Sequence, residues 1–306
     1  MTSDRPPLSL VVAAFHRPDS LDRLLGSVDL AGTELVVAVI GADAAVAAVA
    51  QRHGAQVVAV PGNPGYATAV NAGVAVATGD VIAFANDDLA LRPGALAALV
   101  RAVHETGDVV VPQLLDRSGT VEPSISALAT PGSLLREWAL LPDRPVRVLP
   151  TRLAAKWRRP TARVRVPAAM AALVAGPAEV VRATPLPECY FLYWEEQEWF
   201  WRLRDGGVGL WYEPAAQVEH LGGRDDVRGD KSALLARNSL RYLRRTQGRW
   251  AAVRAWPVVV LWFGRLAMVD GLRAALRRTP EARERVAARR PGLRAALRGY
   301  EEAMGG

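Results

Sequence analysis

The sequence predicts an α/β fold: an open, mostly parallel twisted sheet flanked by helices, with a helical extension at the C-terminal end. Three observations carry that expectation. Short apolar, β-branched runs recur through the first third of the chain, separated by segments whose apolar residues have helical spacing. Charged and polar residues, in Phe15-His16-Arg17, Asp43 and Asn86-Asp87-Asp88, fall at the ends of three of these runs, where open α/β sheets place their ligands. Beyond Asp230 the alternation gives way to helical segments punctuated by arginine.

Leu8 to Ala14 reads as the first buried strand. Phe15-His16-Arg17-Pro18 forms its loop, and Asp19-Ser20 opens a helix through Leu21, Leu24, Leu25 and Val28. Glu34 to Ile40 is a second strand, Ala44 to His53 an alanine-rich helix and Gln56 to Val60 a third strand. A turn at Pro61-Gly62-Asn63-Pro64-Gly65-Tyr66 leads into a small-residue helix, Ala67 to Thr78, and Gly79-Asp80 returns the chain to strand Val81 to Ala85. A helix from Pro93 to Glu105 and a strand from Asp108 to Val111 complete the open sheet. From Asp116 to about Arg165 proline, arginine and tryptophan interrupt any period, which reads as a loop-and-helix insertion. Val166 to Val181 resumes apolar structure, and Gly209 to Tyr212 and Ala215 to His220 read as two short strands.

With 306 residues, half of them hydrophobic and 23% charged, the chain can bury a substantial core. The single cysteine, Cys189, excludes an internal disulfide framework and reads as an inert small hydrophobe. The N-terminus has no basic segment followed by an apolar signal core, so a cytoplasmic location is expected. A net charge of +7 concentrates in the arginines of the last third and suits an anionic partner. No zinc-finger spacing, RNA-recognition signature or helix-turn-helix pattern accompanies it, so nucleic acid is not expected. Trp256 to Phe263, bounded by Arg254 and Arg265, is too short for a span of about 20 residues. It reads either as an interfacial helix on a membrane surface or as a buried core helix.

Two acidic clusters bear chemistry. Tyr190 to Trp194 lead with aromatics into Glu195-Glu196-Gln197-Glu198, followed by Arg202 and, one short element later, His220. Asn86-Asp87-Asp88 ends the run Val81 to Ala85. Together they suggest a metal-assisted transfer enzyme. The plainer readings are a helix N-cap for Asp87-Asp88 and a solvated acidic face for the glutamates, although the flanking tryptophans argue against full exposure. His16, His53 and His104 read as structural. The turn at Pro61 to Gly65 lacks the spacing of a dinucleotide fingerprint.

In this order the motifs resemble glycosyltransferase family 2, the inverting enzymes of GT-A fold, and among them bacterial rhamnosyltransferases. They run over residues 8 to 225: Phe15-His16-Arg17, Asn63 through Asn71 to Gly73, Asn86-Asp87-Asp88, Val121-Glu122-Pro123-Ser124, Phe191 to Glu198 with Arg202, and Val218-Glu219-His220. The resemblance implies one GT-A domain, with residues 1–115 binding a nucleotide sugar and 116–230 forming the acceptor and catalytic half. Residues 231–306 form the helical extension. It implies a divalent cation, Mg²⁺ or Mn²⁺, on Asp88 and His220. Glu196 is implied as general base beside Glu195, with a donor pocket drawn from Phe15, Arg17, Asp43, Asn63, Gly65, Asn71, Asn86, Asp87 and Arg202. It further implies a hexose donor such as dTDP-rhamnose, a lipid-linked or glycan acceptor in cell-envelope polysaccharide, and work at the inner face of the plasma membrane.

Three departures from the family pattern stand out. The pair that reads the nucleotide base after the second strand is absent or displaced to Asp43, since the chain has Val39-Ile40-Gly41-Ala42-Asp43. The catalytic pair is Glu-Glu where the family has Glu-Asp, and Pro185 to Tyr190 replaces its usual glycine-rich approach. These departures support an alternative, a non-catalytic GT-A domain that binds a sugar nucleotide or a partner. Lys156-Trp157-Arg158-Arg159 reads as a solvated loop or as a contact for an acceptor diphosphate.

Overall fold

Leu8–Ala14 is apolar at all but one position, as a strand covered on both faces must be; it forms β1, with every residue buried. The computed structural model describes residues 7–140, 158–222, 230–277, 287 and 290–299. The remaining strands are β2 (Glu34–Ile40), β3 (Gln56–Val60), β4 (Val81–Asn86), β5 (Leu89–Leu91), β6 (Val109–Leu115), β7 (Ile125–Ser126), β8 (Val164–Arg165), β9 (Ala168–Ala169), β10 (Leu173–Pro177) and β11 (Leu210–His220). The helices are α1 (Pro18–Gly26), α2 (Ala44–Arg52), α3 (Tyr66–Val76), α4 (Ala95–Thr106), α5 (Pro131–Leu134), α6 (Ala178–Ala183), α7 (Glu195–Asp205), α8 (Asp230–Gln247) and α9 (Arg249–Arg277). A π-helical turn, Leu135–Leu140, follows α5.

The chain divides into two compact units. The first comprises residues 1–126, 159–191 and 199–223, and the second residues 127–158, 192–198 and 224–306. The first holds the main sheet, in the order β3-β2-β1-β4-β10-β6-β11-β5, with β8 on β11. Strands β1 to β4 pair in parallel, as their alternation with helices predicts. The sheet turns antiparallel where β10 inserts between β4 and β6. That insertion is not legible in sequence, because Val166 to Val181 shows neither a helical nor a strand period. The two strands expected at Gly209–Tyr212 and Ala215–His220 are one, β11, with an irregularity between Glu213 and Gln217 around Pro214.

From β1 the chain winds outward to β2 and β3, then returns to place β4 on the other side of β1. This reversal lies beside the carboxyl ends of β1 and β4, whose registers end level at Ala13 and Asn86, the place where open α/β sheets bind their ligands. Gly73 lets α3 lie close on this part of the sheet, since a Cβ there would overlap Val11 Cγ1.

The second unit contains α5, α8, α9 and the first turn of α7. Within it Trp138 packs its ring on Trp194 and Trp262. The run Trp256–Phe263 lies inside α9, so the apolar helix is far longer than the run itself. Arg249–Leu272 is long and apolar enough to cross a membrane by length and composition. Trp250, Pro257, Leu261, Met268 and Leu272 are exposed. At 100° per residue they fall along one stripe of the helix. Lys156 and Trp157 lie outside the described residues; Arg158 and Arg159 belong to an irregular segment.

Candidate active site

The loop after β1 and the end of β4 meet at the sheet's reversal. Asp87 is buried, and one of its carboxylate oxygens accepts the Phe15 N–H at 3.2 Å. Burial pushes its carboxyl up to about 6, with the neighbouring Asp88 charge adding to the shift and the Phe15 bond and Arg17 opposing it. Asp87 thus ties the two strand ends together. Asp88 faces a different set of groups: Oδ2 accepts from Arg17 Nη1 at 3.1 Å, while Oδ1 is buried without a hydrogen-bond partner.

His220, the last residue of β11, brings Nε2 to 3.7 Å from that orphaned oxygen. Its Nδ1 lies 2.9 Å from a carboxylate oxygen of the buried Glu122. A carboxylate only accepts, so Nδ1 carries the hydrogen and, in the neutral ring, Nε2 is the open nitrogen. Burial lowers the imidazole's affinity for a second proton, but the bond to Glu122 and the charges of Asp88 and Glu122 outweigh it and raise the pKa. The backbone closes the arrangement: Leu221 N–H donates to Asp88 O at 2.8 Å, and a Cβ on Gly222 would overlap Asp88 Oδ2.

This donor set fits a hard divalent cation. An unsatisfied buried carboxylate oxygen beside an oriented imidazole nitrogen is a partial coordination shell, and such ions complete theirs with water and substrate phosphates. Among the described residues there is no group of three or more acidic, histidine or cysteine side chains positioned as a closed metal cage.

The other donor-pocket candidates are placed as follows. Asp43 caps α2, accepting from Ala45 and Val46 N–H, and binds His16 Nδ1 at 2.5 Å. The Val46 bond and then the His16 bond hold its carboxyl below the usual range. Asn63 is exposed in the turn before α3. Gly65, at φ 106°, lets the chain pass against Phe191, whose carbonyl accepts the Tyr66 N–H. The Asn71 amide is committed to the fold, donating to Leu186 O and Glu188 Oε1 and accepting from Leu186 N–H. Phe15 is exposed and stacks at a tilt on His16. Asn86, half-buried at the end of β4, donates its N–H to Ala172 O. Arg202 lies half-buried on α7.

Glu195, Glu196 and Glu198 belong to the second unit. The chain enters α7 through Tyr193 and Trp194, both at positive φ (69° and 79°). Left-handed backbone at a non-glycine residue costs about 1–3 kcal/mol and persists only where surrounding structure enforces it. Glu195 is 5% exposed, and its Oε2 has no hydrogen-bond partner. Burial, then the adjacent Glu196, pushes its carboxyl well up. Glu196 is less enclosed, and its Oε2 accepts the Trp194 N–H at 3.1 Å. Burial raises its carboxyl too, but backbone hydrogen bonds favour its charged form. Burial thus disfavours charge on both carboxyls, and the backbone hydrogen bonds to Glu196 favour ionisation there over Glu195. Glu198 is buried and accepts two bonds from the Arg245 guanidinium, at 2.9 and 3.1 Å.

Residues 9–160 match the family model described as Glycosyl transferase family 2. An uncharacterized glycosyltransferase of Mycobacterium tuberculosis strain H37Rv is 32% identical over 133 residues, which is 44% of this chain and 59% of that protein. One from Mycobacterium bovis matches to the same extent. The chain thus spans about three fifths of the length of these curated relatives. Among solved structures, a mannosyltransferase from Pyrobaculum calidifontis in complex with GDP-Man and Mn²⁺ superposes with a TM-score of 0.53 at 13% identity, covering 98% of this chain and 88% of that one. Glucosyl-3-phosphoglycerate synthase from Mycobacterium tuberculosis, in complex with Mn²⁺, UDP and glucosyl-3-phosphoglycerate, has a TM-score of 0.53 at 18% identity, covering 80% and 81%. At such identities the likeness is one of fold, and the fold is GT-A with a helical C-terminal extension.

Proposed function

We propose that this chain is a family 2 glycosyltransferase that moves a hexose, with inversion, from a nucleotide sugar to an acceptor hydroxyl. The observation that carries this reading is the buried Asp88 oxygen, without a hydrogen-bond partner, that faces His220 Nε2 beyond the end of β4. The family match and the glycosyltransferase relatives support it. Asp88 and His220 would hold the divalent cation, with Glu122 fixing the imidazole's orientation. When bound, the cation offsets the negative charge that accumulates on the departing nucleoside diphosphate. Arg17, paired with Asp88 and partly exposed, supplies a second positive charge toward the phosphates. Glu196 removes the acceptor proton as that oxygen attacks the anomeric carbon opposite the leaving phosphate.

Glu122→Gln is expected to weaken Mn²⁺ affinity about 10–100-fold, because the partner that orients a ligating histidine tunes its basicity. Mn²⁺ titration followed by electron paramagnetic resonance checks this, and unchanged affinity would remove Glu122 from the role.

The finer reading is a hexose such as rhamnose from dTDP-rhamnose, passed to a lipid-linked or glycan acceptor of the cell envelope. The exposed stripe of α9, with Arg249 and Arg254 at the same end, supports peripheral contact with an anionic membrane. Co-sedimentation with anionic vesicles is expected to fall on Leu261→Glu with Met268→Glu; equal sedimentation would count against the contact.

A panel of sugar nucleotides, each with Mn²⁺ or Mg²⁺ and candidate acceptors, tests the activity, with the product's anomeric configuration read by NMR. Inverted product is expected. Retained configuration would defeat the mechanism, and nucleotide binding without any turnover would favour the non-catalytic alternative.

A further inference from the structure

One face of α8 grips the segment that leads into the acidic pair. Leu235, Asn238, Tyr242 and Arg245 recur at intervals of three, four and three residues, the spacing that stacks positions on a single helix face. The carbonyl of Leu235 accepts Trp194 Nε1–H at 3.1 Å. The Tyr242 ring lies 5.2 Å from that of Trp194, and Arg245 binds Glu198. Between them Asn238, 2% exposed, donates from Nδ2 to Leu192 O at 2.9 Å and to Tyr193 O at 3.2 Å.

Those two carbonyls belong to the peptide planes on either side of Tyr193. Its φ and ψ set the angle between the planes, so one NH₂ group bridging both oxygens fixes the left-handed conformation at Tyr193. Trp194, the next residue, donates its N–H to Glu196 Oε2. Any relaxation of Tyr193 therefore moves the donor that holds the Glu196 carboxylate.

We propose that Asn238 is a positioning residue for the transfer reaction: by bridging the Leu192 and Tyr193 carbonyls it holds the strained turn that aims Glu196. The inference rests on the reading of Glu196 as general base, and it makes α8 part of the catalytic apparatus. Asparagine is suited to the task because its amide offers two donors on one nitrogen. Aspartate would set a carboxylate against two carbonyl oxygens, and serine would supply one donor.

The test compares Asn238→Ala, Asn238→Ser and Glu196→Gln for kcat, donor KM, the pH profile of kcat and melting temperature. Asn238→Ala is expected to lower kcat about 10–100-fold, the cost of a displaced catalytic group, with KM for the donor within about two-fold and the acidic limb of the profile displaced. Asn238→Ser is expected to recover part of kcat. A folded Asn238→Ala with wild-type kcat and profile would overturn the proposal, as would a loss that only tracks the fraction of folded protein. If the alanine variant does not fold, the serine variant decides by the same two readouts. Wild-type kcat in Glu196→Gln would instead defeat the base assignment, whereas an inactive Glu196→Gln beside an unaffected Asn238→Ala or Asn238→Ser defeats the positioning role alone.

Discussion

Glu196→Gln is expected to lower kcat by about 10²–10⁴-fold, the range a positioned general base contributes, while donor affinity stays unchanged. The substitution keeps the shape of the side chain and its bond to the Trp194 N–H, so the loss reports the missing proton acceptor. In the wild type the base works only when ionised. Burial holds its carboxyl above the ordinary glutamate range, so activity should be lost as pH falls through that raised value, earlier than for a solvated glutamate. Glu195→Gln is a graded control: burial and its neighbour's charge both push the Glu195 carboxyl up and disfavour its ionisation, so kcat should fall far less. Equal losses in the two variants would contradict the division of roles within the pair.

Asp88→Ala should abolish metal-dependent nucleotide binding while leaving the unliganded protein nearly as stable as the wild type. The hydrogen-bonded ion pair it removes is to Arg17, which is 43% exposed, and pairs of that kind contribute little; the other charged partner among the described residues, His220, stands 3.7 Å away and keeps its bond to Glu122. In the wild type a nucleoside diphosphate with Mn²⁺ at a hundred times its dissociation constant would stabilise the fold by about 2.7 kcal/mol. That increment should vanish in the variant, as seen by thermal shift with and without the metal. A metal-dependent shift surviving in Asp88→Ala would place the cation elsewhere.

The sheet's first half was legible because β1, β2 and β4 are nearly unbroken apolar runs that only a doubly covered strand tolerates. β5, three residues long, and β10, set in a stretch without period, carry too little local signal to be read. The acidic clusters were visible through their composition, and the roles proposed within them come from the family resemblance; the hydrogen bonds that surround each carboxyl were not legible. The role of Glu122 depends on a bond to His220, 98 residues away. Asp43, which the resemblance places at the nucleotide base, also carries the ordinary signature of an N-cap before an alanine-rich helix, and it caps α2. Asn71 lies in a motif assigned to the donor pocket, while its amide is spent on Leu186 and Glu188. Asn238 sits in a helix punctuated by arginines, and nothing local distinguishes a buried asparagine there from an exposed one.

The most direct test of the metal-centred donor site is a crystal grown with Mn²⁺ and a nucleoside diphosphate and measured at the manganese absorption edge. The account predicts one strong anomalous peak within about 2.0–2.3 Å of an Asp88 oxygen and of His220 Nε2, with the remaining ligands from the diphosphate and water. A peak away from both residues, or a bound nucleotide with no metal at Asp88, would contradict it.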